Sequence, residues 1–123
     1  MATVLIVDDS PTEVHVLSGY LEKHGFAIET AADGGEGIEK ARELKPDLIL
    51  MDVVMPGMNG FQATRELRRD PATASIPVIM VTTKGLETDK IWGLRQGAKD
   101  YLVKPVTEAR LVEQVRAMLG DHD

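Results

Sequence analysis

The chain has no cysteine and no long apolar run at its start, and each absence excludes a class of protein. Without cysteine it can have no disulfide framework, no thiolate catalyst and no zinc site built on thiolates. The first apolar run, residues 4–7, is too short for the core of a signal peptide or for a membrane span. We therefore expect a cytoplasmic protein without membrane insertion.

Basic residues are in the minority, with 14 lysines and arginines against 20 acids and a formal net charge of -6. This negative charge disfavours sequence-independent binding to nucleic acid or to anionic membranes. Proteins and cations are the expected partners. A chain of 123 residues can bury one hydrophobic core but not two, so residues 1–123 are predicted to form a single domain.

Short aliphatic runs alternate with helical patterns along the whole chain. The predicted strands are residues 4–7, 26–30, 48–51, 76–81 and 101–103. A helix follows each of them, because apolar residues then recur at helical spacing. Parallel strands need crossover connections, so this alternation predicts an α/β fold with a parallel sheet between two layers of helices.

Two helix starts have recognisable local patterns. Ser10 is predicted as the N-cap of the first helix, with Pro11 at its first position and Glu13 completing a capping box. Before the second helix, the glycine-rich residues 31–35 are predicted to form a turn. A phosphate loop is not expected there, because its Lys-Ser/Thr pair is missing.

Some side chains are assigned to the core or the surface by periodicity alone. Leu44 in the second helix, and Ile91 and Leu94 in the fourth, are predicted to face inward. For Trp92 two roles are equally consistent with the sequence: it covers an edge of the core, or it marks a surface that binds a partner. The histidines have no ligand-like spacing and are predicted to be solvated surface residues: His15, His24 and His122.

Polar side chains follow four of the predicted strands. Asp8 and Asp9 come after the first, Asp52 after the third, Thr82 after the fourth and Lys104 after the fifth. The carboxyl ends of parallel strands share one edge of the sheet, so these groups are expected to lie close together. Three crowded carboxylates repel one another unless a cation joins them, and oxygen ligands suit Mg²⁺.

A carboxylate beside a divalent ion, a hydroxyl and an ammonium group has the parts that phosphoryl transfer needs. The carboxylate attacks phosphorus without a general base, because it is already ionised, and the cations balance the charge on the phosphoryl oxygens. Asp52 ends a buried apolar run that closes at Pro56-Gly57, and we predict that it becomes an aspartyl phosphate.

Four motifs in order resemble bacterial two-component receiver domains, in particular the single-domain CheY-like chemotaxis type. They are Asp8-Asp9-Ser10, residues 51–60 around Asp52, Thr82, and residues 100–105. The resemblance runs from residue 4 to residue 119. It implies a flavodoxin-like, doubly wound (βα)5 fold, with a five-stranded parallel sheet in the order 2-1-3-4-5 and helices on both faces.

The resemblance also implies a role for each site residue. Asp52 would accept a phosphoryl group from the phosphohistidine of a histidine kinase. Asp9, Asp52 and the backbone carbonyl of Val54 would bind Mg²⁺ directly, with Mn²⁺ as a possible substitute, while Asp8 would act mainly through bound water.

Three further residues would respond to phosphorylation. Thr82 would move to hydrogen-bond the phosphoryl group, Lys104 would pair with it, and Tyr101 would turn inward as a switch. The Lys104–Pro105 bond resembles the family's cis peptide, an isomer that only an X-Pro bond adopts at low cost.

A signalling switch of this kind would have no output domain and would catalyse only its own phosphorylation and dephosphorylation. Output would come from an unknown protein bound to the surface of the fourth helix, fifth strand and fifth helix, or the domain would act as a phosphate sink. A monomer or weak dimer is expected. Residues 59–65 and 87–98 are similar to receivers of type IV pilus twitching-motility chemosensory systems.

Val54 and Lys84 occupy the family positions that tune the phosphoryl lifetime. Val54 cannot orient an attacking water and Lys84 could cover the phosphoryl group, so slow self-hydrolysis is our hypothesis. An aspartate-nucleophile phosphatase is the main alternative, although such enzymes carry a second aspartate where this chain has Val54. A flavodoxin-like electron carrier would need a phosphate loop where Asp8 and Asp9 stand.

Overall fold

The computed structural model describes residues 1–120 of the chain. Within these 120 residues, five strands, all in one sheet, alternate with five helices. The strands are β1 (Thr3–Val7), β2 (Ala27–Ala31), β3 (Leu48–Met51), β4 (Val78–Thr82) and β5 (Asp100–Val103). The helices are α1 (Pro11–Glu22), α2 (Gly34–Leu44), α3 (Gly60–Arg69), α4 (Glu87–Gln96) and α5 (Glu108–Leu119). Over residues 1–120, every helix is too short or too polar to cross a membrane.

All strand pairs are parallel and the sheet order is β2-β1-β3-β4-β5. The predicted flavodoxin-like order is therefore confirmed. Met51 at the end of β3 pairs with Val7 on one side and with Met80 on the other. Because β3 lies between β1 and β4, the residue that follows it, Asp52, emerges at the middle of the sheet edge.

Apolar layers cover both faces of the sheet, because successive residues of a strand point to opposite faces. In β1, Val4 and Ile6 pack under α1 and α5, whereas Leu5 and Val7 pack under α2 and α3. A smaller third cluster lies beneath α4 and contains Val53, Met80, Ala98 and Tyr101. This third cluster is the one that adjoins the candidate site.

The start of α1 differs from the prediction in one hydrogen bond. The Ser10 hydroxyl accepts from the Glu13 amide at 3.3 Å, as an N-cap should. The Ser10 amide, however, donates to Asp8 Oδ1 at 2.9 Å. The predicted capping box is therefore wrong in one of its two hydrogen bonds. The Ser10 amide bonds to the carboxylate of Asp8 and not to that of Glu13.

Helix α2 begins earlier than predicted. The Asp33 side chain accepts from the Glu36 amide at 2.8 Å, and Glu36 Oε1 accepts from the Ala32 amide at 2.7 Å. These two bonds start the helix at Gly34, so the predicted turn through residue 35 is wrong at its end. Leu44 is 46% exposed, against the prediction, because the last turn of α2 extends beyond the core.

Helix α4 packs on the sheet by a different face from the predicted one. Ile91 and Leu94 are 46% and 49% exposed, so the prediction that they face inward is wrong. Gly93 and Gln96 are the buried residues of this helix. Periodicity failed here because the sheet-facing positions carry a glycine and a polar residue. Trp92 is 44% exposed, which favours a surface role over a core role.

The histidines differ in their surroundings. His15 is exposed, as predicted, and His122 lies outside the described residues. His24 is wrongly predicted to be simply solvated, since its Nε2 lies 3.0 Å from Glu108 Oε2. Lys23 also reaches Glu108, at 2.8 Å, so this carboxylate joins the end of α1 to the start of α5.

Candidate functional site

Asp52 follows a strand whose four residues are all buried, and its own side chain is almost fully buried. Its backbone amide donates to the Val7 carbonyl at 2.9 Å, which continues the pairing of β3 with β1. Its Oδ1 accepts from the Val53 amide at 2.7 Å. The carboxylate is therefore fixed where the sheet ends.

Asp8 and Asp9 meet Asp52 at this edge, as their positions after β1 predict. Each of the three residues offers a carboxylate oxygen, and these oxygens all lie within 4.8 Å of one another. Asp8 is buried and Asp9 is exposed, so the cluster opens toward solvent on the Asp9 side. A set of carboxylate oxygens at this spacing suits a hard divalent cation such as Mg²⁺.

Lys104, the residue directly after β5, also reaches this cluster. Its Nζ donates to Asp8 Oδ2 at 2.8 Å and lies 3.6 Å from Asp52 Oδ2. Glu13 Oε2, from the first turn of α1, lies 3.7 Å from the same nitrogen. The bond between Lys104 and Pro105 is cis. One ammonium group thus faces three carboxylates, and the site keeps a net negative charge.

The charges in this site shift the pKa values of two groups. Burial raises the pKa of Asp52 above its usual range and the Asp8 charge adds to this effect, while Lys104 opposes it. Burial also acts to lower the pKa of Lys104. The hydrogen bond that Lys104 donates to Asp8 and the charges of Asp52, Asp8 and Glu13 outweigh burial, so the net pKa of Lys104 is raised.

Thr82 and Tyr101 both hold the backbone of Lys84. Thr82 is fully buried, and its Oγ1 accepts from the Lys84 amide at 3.3 Å. The Tyr101 hydroxyl donates to the Lys84 carbonyl at 2.7 Å, with the ring largely buried beneath α4. Burial, followed by the charges of Asp89 and Asp52, raises the pKa of Tyr101 to about 12. The two candidate switch residues are therefore joined through one loop residue.

Val54 and Lys84 line one small cavity beside Asp52. The cavity has a volume of about 270 Å³ and is lined by Val53, Val54, Met55, Asn59, Phe61 and Lys84. Val54 is 56% exposed. Lys84 Nζ lies 3.9 Å from Oδ1 of Asp89, which is in the first turn of α4. Both predicted lifetime-tuning residues thus border the same opening.

Gly60 is a site residue that sequence reasoning missed. Its amide donates to the Val53 carbonyl at 2.9 Å, and a Cβ at this position would collide with the Asp52 carbonyl oxygen. Asn59 and Gln62 form a reciprocal capping box, so α3 starts directly against the backbone of Asp52. The signal was present, because Asn-Gly with a glutamine three residues after the asparagine is a capping-box pattern.

Comparison with known proteins identifies close relatives. The response regulator receiver domain family matches residues 4–116. Protein PilH of Pseudomonas aeruginosa PAO1 is 60% identical over 120 residues, which cover 98% of this chain and 99% of PilH.

Two solved structures are similar in both sequence and fold. Chemotaxis protein CheY4 of Vibrio cholerae has a TM-score of 0.91 and 37% identity, covering 97% of this chain and 99% of CheY4. The receiver domain of sensor histidine kinase PA1611 of Pseudomonas aeruginosa has a TM-score of 0.90 and 32% identity, covering 97% of this chain and 98% of that domain. That domain has a magnesium ion coordinated in its active-site cleft.

Proposed function

The chain belongs to the response regulator receiver domain family, and on that premise we propose that Asp52 is the residue that accepts the phosphoryl group. As a receiver domain of two-component response regulators, it takes part in phosphorylation-dependent signalling. The assignment of Asp52 is supported above all by its carboxylate, which adjoins both the Asp8–Asp9 pair and the Lys104 ammonium.

Asp52 is a better acceptor than its neighbour Asp8. Both oxygens of Asp8 are engaged, Oδ1 by the Ser10 amide at 2.9 Å and Oδ2 by Lys104 at 2.8 Å. Oδ1 of Asp52 is held by the Val53 amide, and Oδ2, which lies 3.6 Å from Lys104 Nζ, is the oxygen that we propose attacks phosphorus. An ionised carboxylate needs no general base for this step.

In the proposed reaction, Asp52 Oδ2 forms a bond to phosphorus while the bond from phosphorus to the imidazole nitrogen of a phosphohistidine breaks. Lys104 then lies close enough to balance the charge that the phosphoryl oxygens bring. Thr82 would exchange its contact with the Lys84 amide for one with the phosphoryl group, and release of this amide would be passed on to Tyr101.

We propose that Asp9, Asp52 and the Val54 carbonyl hold Mg²⁺, with Asp8 acting through water and Mn²⁺ as a possible substitute. The donor set fits, because it consists of hard oxygen atoms and carries more negative charge than Lys104 neutralises. The bound ion would supply positive charge to the transferring phosphoryl group. The magnesium in the similar PA1611 receiver domain supports this assignment.

Receiver domains accept their phosphoryl group from histidine kinases, and for this chain we propose transfer in the cytoplasm, where ATP charges such kinases. Phosphorylation would change the surface of α4, β5 and α5. This surface would bind an output protein, or the domain would instead act as a phosphate sink.

The domain would act as a monomer or weak dimer. The 60% identity with PilH supports a role in a twitching-motility chemosensory pathway.

We propose that the phosphoryl group is long-lived and that the chain catalyses only its own phosphorylation and dephosphorylation. The Val54 side chain has no polar group to orient an attacking water, and Lys84 lines the same cavity. A phosphatase would need an acid or base where Val54 stands. A phosphoryl lifetime no longer than that of the Val54→Asn, Lys84→Glu double variant would contradict slow hydrolysis.

The assignment of Asp52 can be tested by intact mass. The wild type, Asp52→Asn and Asp9→Asn are each incubated with acetyl phosphate, with Mg²⁺ or with a chelator. We expect the wild type to gain the mass of one phosphoryl group only with Mg²⁺, Asp52→Asn to gain none, and Asp9→Asn to gain it far more slowly. Equal uptake by Asp52→Asn would overturn the assignment.

A further inference from the structure

Helix α4 is held in place by a few specific contacts. Its large apolar side chains, Ile91, Trp92 and Leu94, are all more than 40% exposed, and the face against the sheet carries Gly93 and Gln96. A helix that buries so little apolar area gains little from the hydrophobic effect at this face. Its position therefore depends strongly on the polar contacts at its ends.

The C-terminal end of α4 is held by α3. Arg65 Nε donates to Gln96 Oε1 at 2.7 Å, and Gln96 is almost fully buried. Arg68 Nε donates to the Gly97 carbonyl at 2.9 Å, and its Nη1 donates to the Ile76 carbonyl at 3.0 Å. Two arginines of one helix thus hold the last turn of the next.

The opposite end of α3 lies against the acceptor. Gly60, the first residue of α3, is packed so tightly on the Asp52 carbonyl that a Cβ would not fit. Five residues later, about 7.5 Å along the helix axis, Arg65 contacts α4. Because a hydrogen-bonded helix moves largely as one body, a shift of the Asp52 backbone would be transmitted to Arg65.

We propose that α3 forms a second connection between the acceptor and α4, in which Arg65 is the positioning residue and Gln96 its target. It runs alongside the connection through Thr82, Lys84 and Tyr101, which reaches the loop before α4. This inference rests on the proposed phosphorylation of Asp52. It predicts that the change in α4 on phosphorylation depends on contacts at both ends of this helix.

The single tryptophan of the chain, Trp92, lies in α4 and reports on that helix. The test compares the Trp92 fluorescence change on phosphorylation by acetyl phosphate and Mg²⁺, normalised to phosphoryl mass, in the wild type, Arg65→Met and Arg69→Met. Arg69 is exposed on the same helix, so its variant matches the loss of charge. We expect Arg65→Met to lower the response roughly twofold or more and Arg69→Met to leave it unchanged.

Further variants separate coupling from simple destabilisation. Gln96→Met and the Arg65→Met, Gln96→Met double variant should give the same reduced response, because both single changes remove one contact. Arg65→Lys keeps a hydrogen-bond donor and should retain most of the fluorescence response, even if its folding stability differs from that of the wild type. A wild-type response in Arg65→Met, or an equal loss in Arg69→Met, would overturn the inference. If the wild type gains no phosphoryl mass, the proposed function itself fails.

Discussion

Lys104 Nζ donates a 2.8 Å hydrogen bond to Asp8 Oδ2, which joins the end of β5 to the end of β1 across the sheet edge. Both side chains are almost fully buried, at 8% and 2% exposure. The pair keeps one positive charge fixed 3.6 Å from Asp52 Oδ2. The ammonium group is therefore in place before any phosphoryl group arrives.

Replacing Lys104 with methionine should destabilise the protein by about 3 kcal/mol without Mg²⁺, because it leaves buried carboxylates without their partner. Urea denaturation measures this loss. Lys99→Met, at an exposed lysine, is the matched control and should change the unfolding free energy little. Similar losses in the two variants would show that the Lys104–Asp8 pair adds no stability.

Replacing Asp52 with asparagine should stabilise the protein at pH 7 without Mg²⁺. Burial raises the pKa of the folded Asp52, so the folded state binds a proton more tightly than the unfolded state does. Ionised Asp52 therefore lowers the folding stability, and this loss reaches its full size above the pKa of Asp52 in the folded state. The loss disappears below the pKa of Asp52 in the unfolded state, about 3.9. The stability difference between Asp52→Asn and the wild type should therefore vanish as the pH falls to that value.

Mg²⁺ should reduce this stability difference between Asp52→Asn and the wild type at pH 7. At ten times its Kd, the ion should add about 1.4 kcal/mol to the wild type and little to Asp52→Asn, because binding favours the folded state. Thermal unfolding with and without Mg²⁺ measures both effects. Glu39→Gln, at an exposed acid, should respond to Mg²⁺ like the wild type. Equal Mg²⁺ stabilisation of Asp52→Asn would exclude Asp52 as a ligand.

Tyr101 should remain protonated in strongly alkaline solution. Its pKa is raised to about 12, so in Tyr20→Phe, where it is the one remaining tyrosine, phenolate absorbance should appear near pH 12. An unfolded tyrosine ionises near pH 10, so folding stability should fall as the pH rises between about 10 and 12. Phenolate absorbance near pH 10 in the folded protein would contradict the burial of this ring.

Adding a methyl group at Gly93 should weaken the packing of α4. A Cβ there would lie 2.8 Å from Met80 Sδ and 2.9 Å from Tyr101 Cδ2. Overpacking should outweigh the gain in helix propensity, so we expect Gly93→Ala to lose about 1 kcal/mol. Gly19→Ala in α1 adds its methyl group to open space and should gain about 0.5 kcal/mol. Chemical denaturation compares the two, and equal effects would show that Gly93 is not tightly packed.

The sheet and the composition of its edge were predictable from sequence because both depend on local patterns. A buried run ending in Asp52 needs no knowledge of distant residues to be recognised as a strand. Parallel connections then bring Asp8, Asp9 and Lys104 to the same edge.

The packing of α4 was not predictable, because it depends on partners that are distant in sequence. The buried Gln96 side chain accepts a hydrogen bond from Arg65, 31 residues earlier, and Gly93 packs against the Tyr101 ring. Neither contact leaves a periodic signal, so apolar spacing assigned Ile91 and Leu94 to the wrong side. The bond from the Ser10 amide to Asp8 was missed for a related reason, since two carboxylates competed for one donor.

The close approach of Gly60 to the Asp52 carbonyl restricts which sequences can carry this site. Any side chain at position 60 would have to displace either the backbone of Asp52 and Val53 or the start of α3. A saturation library at this codon, selected for signalling, should therefore return glycine alone, while Gly19, where an added Cβ meets open space, should accept other residues more often. Residue 60 carries no functional group, yet it should tolerate as few substitutions as Asp52 itself.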